Sequence, residues 1–146
     1  MHELFEKRVA ADPAHIGMLE AAARGWAERV ALSALDALHL DLVIEELVTN
    51  VICHGRRAQD PAWVELRIER SGHRLDIRLS DNAQAFDPFT MPPPDLTRDI
   101  DARPVGGLGI HFVRTLMDSW RYERRQGLNV VSLQKRLQPA SRRIEP

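Results

Sequence analysis

Residues 40–55 read LDLVIEELVTNVICHG, and the way this stretch folds decides the rest of the chain. Leu40, Ile44, Leu47, Val48 and Val51 recur at helical spacing and share one face, so the stretch reads as an amphipathic helix with that face in the core. Glu46, Asn50 and His54 follow one another at four-residue steps and stack along a neighbouring face. An acid and a carboxamide are thereby aimed at one place. Asn in a helix interior costs about 0.6 kcal/mol against Ala, while its carboxamide oxygen is a hard ligand of the kind Mg²⁺ takes. A carboxylate one turn earlier can hold or deprotonate something beside that metal. Taken alone, the same spacing also describes a helix with a solvated outer face, and two stretches downstream separate the readings.

Before this helix, LFEKRV at residues 4–9 alternates as a short strand. Asp12-Pro13 then gives an N-cap with proline at the first helical position, and apolar residues from Ile16 to Val30 keep helical spacing. Leu32 to Leu38 reads as the connection into the second helix, with Ser33 or Asp36 as its cap. After it, Gly55 closes the helix and RRAQDP reads as a loop. Trp63 to Ile68 and Leu75 to Leu79 alternate around Ser71-Gly72-His73, the pattern of an antiparallel hairpin with one buried face.

The second strand runs directly into SDNAQAFDP, residues 80–88, and then into a proline- and charge-rich run as far as Pro104. Residues 88–105 hold five prolines and little apolar periodicity, which predicts a mobile lid that orders when ligand arrives. Gly106-Gly107-Leu108-Gly109 opens an amphipathic helix over residues 110–118. Glycines at a helix start let backbone N–H groups approach an anion closely, and a flexible hinge is the other reading of the same residues. The spacing is neither a Walker loop nor a dinucleotide fingerprint. Trp120 to Arg124 and Asn129 to Arg136 pair as a last hairpin around Gln126-Gly127, and the tail from Gln138 is expected to fray.

The fold class is therefore α+β: a two-layer α/β sandwich, with helices on one face of a mostly antiparallel sheet. With 146 residues, 44% hydrophobic and 28% charged, the chain makes one ordinary domain, residues 1–137, followed by a disordered tail at 138–146. No window suggests a membrane span or a signal peptide, so a cytoplasmic protein is expected. Cys53 is the only cysteine. It excludes an internal disulfide, no zinc site is expected without a second Cys or a His cluster nearby, and it reads as helix packing. His15 and His39 read as helix-surface residues. The net charge is −1, with acids in excess through residue 102 and bases in excess beyond it. That basic third lacks the interleaved aromatics of a single-strand binder, so direct nucleic-acid binding is not expected.

Three stretches together, EELVTNVICHG, SDNAQAFDP and VGGLGIHFVRTLMDSW, resemble the asparagine box and the two glycine boxes of the ATPase domain shared by gyrase B, histidine kinases and MutL. This is the GHKL (histidine-kinase-like) superfamily with its Bergerat ATP-binding fold, and the chain is most similar to its stand-alone branch, the anti-sigma-factor serine kinases. Order and spacing agree over roughly residues 3 to 137. The resemblance implies ATP and Mg²⁺ as cofactors, Asn50 as the Mg²⁺ ligand and Glu46 as the general base. It implies that Asp81 accepts from the adenine amino group, with Ala83 and Phe86 beside it. It further implies that His54 and Gly55 line the edge of the site, that Gly107, Leu108 and Gly109 carry the lid's hinge past the triphosphate, and that Arg103 reaches a phosphate.

The sequence departs from the family in two places. Ala83 stands where D-x-G has its glycine, and the adenine-facing threonine of the last strands is not evident in GLNVVSLQK. The implied activity is ATP-dependent phosphorylation of a serine on a STAS-domain anti-anti-sigma partner in a partner-switching pathway, with a sigma factor or another output protein as a second partner. The alternative is a nucleotide-binding switch that sequesters a partner without phosphorylating it. The oligomeric state stays open, a homodimer among the candidates. No phospho-acceptor helix precedes the domain, which disfavours a sensor histidine kinase fragment.

Overall fold

In the computed structural model of this chain, residues 2–54, 61–90 and 107–139 are described. Strand β1 (His2–Ala10) leads into helix α1 (Pro13–Arg29), and α2 (Ala34–His54) follows. Strands β2 (Trp63–Ser71) and β3 (Arg74–Asp81) come next, then helix α3 (Gly107–Leu116) and strands β4 (Ser119–Arg125) and β5 (Leu128–Arg136). The five strands form one sheet in the order β1-β2-β3-β5-β4, every neighbouring pair antiparallel.

Local chemistry sets the element ends. Asp12, in extended backbone, accepts from His15 N at 2.9 Å, and Pro13 begins α1 where a missing N–H costs nothing. At the other end, Ala31 takes φ 55°, with Ala31 N donating to Glu28 O and Leu32 N to Ala27 O. These two bonds are a Schellman closure, in which the left-handed residue lets the chain turn away. Gly72, at φ 61°, occupies the first position of the two-residue turn between β2 and β3. Gln126 and Gly127, at φ 51° and 78°, make a turn of the primed type between β4 and β5, whose twist matches the strands.

Strands β1, β2, β3 and β5 alternate as period-two patterning requires, and their inward residues meet the helices in one core. Leu66 and Ile68 of β2, Leu75 and Ile77 of β3, Leu19 of α1, Val43 and Ile44 of α2, and Ile110 and Val113 of α3 are all within 1% of full burial. Each such side chain stabilises the fold by about 1.5–3 kcal/mol. The opposite face of the sheet carries charge, including the ion pairs Arg8–Glu65 and Arg67–Glu6.

The second helix starts earlier than its apolar pattern indicates. Residues 34–38 are its first turn, not a connection, because Ser33 Oγ accepts from Asp36 N at 3.0 Å and caps it. The pattern misleads there because Leu35 and Leu38 are exposed while Asp36 is 2% exposed. Asp36 Oδ2 accepts from Gln138 N, and Lys135 Nζ lies 3.8 Å from Oδ1. The third helix likewise begins at Gly107, so the glycines form its first turn. Cys53 is exposed, a correction to its reading as packing: the core stripe of α2 ends at half-buried Val51, and Ile52 and Cys53 turn outward. His15 is exposed as expected, whereas His39 is half-buried and its Nδ1 is buried with no hydrogen-bond partner.

Candidate nucleotide site

A pocket opens between α2 and the β3–β5 part of the sheet. Its apolar lining comes from Leu47, Val51, Leu79 and Val131, and its polar groups come from Asn50, Asp81 and Asn129. Ala83, Gln84, Phe86 and Pro88, from the segment after β3, line its remaining side. An apolar wall with a few convergent polar groups is what a planar heterocycle needs.

Asn50 is 3% exposed, and neither its Oδ1 nor its Nδ2 has a hydrogen-bond partner. A buried carboxamide left unpaired costs about 1–3 kcal/mol, so its presence points to a ligand that pairs it. One turn earlier, Glu46 has a buried Oε1 with no partner. Burial first, and then the neighbouring Glu45 charge, push its carboxyl up to about 7. A carboxyl in that range exchanges protons readily at neutral pH.

Asp81 is the last residue of β3 and 6% exposed. Burial raises its proton affinity, opposed by the Asn129 and Ala83 hydrogen bonds and by the Arg124 charge. Its Oδ1 accepts from Ala83 N and from Asn129 Nδ2, both at 2.9 Å. The next residue, Asn82, fastens the end of β3 to the start of β2: its Oδ1 accepts from Trp63 N and its Nδ2 donates to Pro61 O. Ala83 is not among the residues with positive φ, so its methyl group sits without backbone strain where the family has glycine. Farther along, Phe89 N donates to Asp87 Oδ1, Arg114 Nη2 of α3 donates to Phe89 O, and the Phe89 ring lies 6.4 Å from Trp120 of β4.

Of the residues singled out in the sequence, Asn50, Asp81, Ala83 and Phe86 meet in this pocket, and Glu46 stands one helical turn from Asn50. His54 ends α2, with its side chain outside the described residues, as are Gly55 and Arg103. Gly107, Leu108 and Gly109 open α3. The expected lid is described only at its start, where Pro88–Thr90 forms a short 3-10 turn with Pro88 buried. Sequence reasoning missed Asn129, which the β3–β5 register sets directly opposite Asp81. A strand-depleted residue between apolar neighbours was the available signal, but only the pairing of β5 with β3 gives it a meaning. Among the described residues no cluster of three His, Cys, Asp or Glu forms a metal site, and no helix is long and apolar enough to cross a membrane.

Known proteins resemble this chain in sequence and in fold. The sequence profile of the histidine kinase-like ATPase domain matches residues 9–135. The serine/threonine-protein kinase BtrW of Bordetella bronchiseptica is 30% identical over 120 residues, which cover 80% of this chain and 84% of that protein. The serine-protein kinase RsbW of Bacillus subtilis is 26% identical over 133 residues, 88% of this chain and 82% of that protein. Among solved structures, the RsbU and RsbW domains of Rv1364c from Mycobacterium tuberculosis superpose with a TM-score of 0.65 at 17% identity. That likeness, which concerns the fold, covers 94% of this chain and 34% of the other.

Proposed function

This chain belongs to the histidine kinase-like ATPase domain family, and we propose that it is an ATP-dependent protein serine kinase whose substrate is a serine on a STAS-domain anti-anti-sigma protein. The observation that carries the reading is Asn50: a buried carboxamide with both polar atoms unpaired, sharing a pocket with Asp81 and one helical turn from Glu46, whose buried Oε1 has no partner. The kinase names of the BtrW and RsbW relatives support the same chemistry.

In this reading Asp81 accepts from the adenine amino group while Leu47, Leu79 and Val131 line the pocket that takes the ring. Asn50 Oδ1 fits a Mg²⁺ ion, because a buried oxygen without a partner is a ready hard ligand and its Nδ2 is free to donate to a phosphate oxygen. When bound, the ion spreads the charge of the phosphates. Glu46 accepts the proton of the attacking serine hydroxyl, which is otherwise a weak nucleophile. The first turn of α3, Gly107 to Gly109, offers backbone N–H groups to the triphosphate. The protein works in the cytoplasm, the domain spans residues 1–137, and a sigma factor or other output protein is its alternative partner.

Two substitutions test the site. Asp81→Asn turns an acceptor toward the adenine amine into a donor, which costs about 1–3 kcal/mol and lowers ATP affinity roughly tenfold or more. Asn50→Ala weakens nucleotide binding in the presence of Mg²⁺ and leaves the melting temperature unchanged or raised, since it removes two unpaired buried atoms. Isothermal titration of each variant with ATP and GTP reads both effects. Equal affinity of the unmodified protein for ATP and GTP, or unchanged Mg²⁺-dependent affinity in Asn50→Ala, contradicts the site.

A further inference from the structure

The polar corner of the pocket is organised from β5. Asn129 is 3% exposed, and its Nδ2 donates to Asp81 Oδ1 and to Gln84 O, each at 2.9 Å. Its Oδ1 accepts from Tyr122 OH at 2.6 Å, Arg124 Nη1 at 3.1 Å and Phe86 N at 3.2 Å. Only one orientation of the carboxamide serves these partners. A flipped amide would set its oxygen against a carboxylate and a carbonyl, and its NH₂ against the Arg124 and Phe86 donors.

The consequence falls on Asp81. Its Oδ1 already receives two donors, Ala83 N and Asn129 Nδ2, while Oδ2 receives none among the described residues. An aspartate's terminal torsion is soft, and two donors on one oxygen hold it. The other oxygen is left as a lone acceptor. Asn129 also ties the wall-forming segment, through Gln84 O and Phe86 N, to Tyr122 and Arg124 on β4, and Arg124 Nη1 donates to Ala83 O at 2.9 Å.

We infer that Asn129 is a positioning residue for base selection: by pinning Asp81 Oδ1 it presents Oδ2 as the acceptor that distinguishes a purine bearing a 6-amino group from one bearing a 6-oxo group. This rests on the nucleotide reading of the pocket given above. A base with a carbonyl at that position meets acceptor against acceptor, and a carboxylate held in place cannot turn away to relieve the clash. Tyr122 does not supply this discrimination, because its hydroxyl donates to the far oxygen of the Asn129 carboxamide.

The test compares ATP with inosine triphosphate, which differs at the 6-position. In Asn129→Ala, ATP affinity falls about tenfold while inosine triphosphate affinity changes by less than about twofold, so the preference collapses. Asn129→Asp keeps the shape and the oxygen facing Tyr122 and Arg124, and exchanges the donor facing Asp81 and Gln84 O for a charged acceptor. It gives the same collapse should the alanine variant fold poorly. Tyr122→Phe keeps the preference. A merely structural role for Asn129 would lower both affinities together, and an unchanged ratio in both Asn129 variants overturns the inference. If the ratio collapses in Asp81→Asn but survives in both Asn129 variants, the pocket reading stands and this inference alone fails. If Asp81→Asn also leaves the ratio intact, both fail.

Discussion

Glu46 is where side-chain environment and chemistry meet. Its Oε1 is buried without a partner, and burial with the Glu45 charge pushes its carboxyl to about 7. The folded protein thus holds this proton more tightly than the unfolded chain, whose glutamate titrates near 4.5. Between those values the unfolded state binds fewer protons, so Glu46's contribution to stability falls as pH rises from about 4.5 through about 7. Glu46→Gln removes that slope. Chemical denaturation across pH 4.5 to 8 should show the difference between the two proteins growing with pH, in favour of the variant. The sequence disclosed Glu46, Asn50 and Asp81 because each sits in a short stretch with a chemical pattern. It did not disclose Asn129, whose meaning depends on a strand pairing 48 residues away in sequence.

At the scale of elements, the reading succeeded where periodicity and turn chemistry agree and failed where they conflict. The β2–β3 hairpin was legible because strict alternation flanks Gly72, and α1 because Asp12-Pro13 marks its start. The start of α2 was not, since exposed Leu35 and Leu38 and buried Asp36 invert the expected pattern and only the Ser33 cap reveals the first turn. The closure of α1 holds a correctable defect. Ala31 sits at φ 55°, a region that costs a residue with a Cβ roughly 1–2 kcal/mol. Glycine there gains that energy and loses part of it to the freedom of the unfolded chain. Ala31→Gly should therefore raise stability by about 1 kcal/mol, read as an increased urea midpoint at constant slope. An unchanged or lowered midpoint would mean that the left-handed position carries no strain.

The whole molecule is a sheet with a charged outer face and a helical layer whose central helix, α2, carries both the core stripe and the proposed catalytic edge. Layering was readable because one face of β2, β3 and β5 is apolar. The order β1-β2-β3-β5-β4 was not, because alternation says which face is buried and nothing of which strand is the neighbour. That order places β5 beside β3 and so builds the corner around Asp81. The function proposed for the assembly stands or falls on transfer of a phosphoryl group. The direct measurement is incubation of the protein with ATP labelled at the γ-phosphate and a purified STAS-domain partner, followed by counting label on the partner's serine, for the unmodified protein, Glu46→Gln and Glu45→Gln. The expected result is transfer by the unmodified protein, a loss of at least about a hundredfold in Glu46→Gln with ATP binding kept, and a mild effect in Glu45→Gln, which lies about 100° round the helix. Equal turnover in Glu46→Gln and the unmodified protein would remove Glu46 from the mechanism. No transfer to any STAS-domain serine would contradict the kinase and leave a nucleotide-dependent switch that only sequesters its partner.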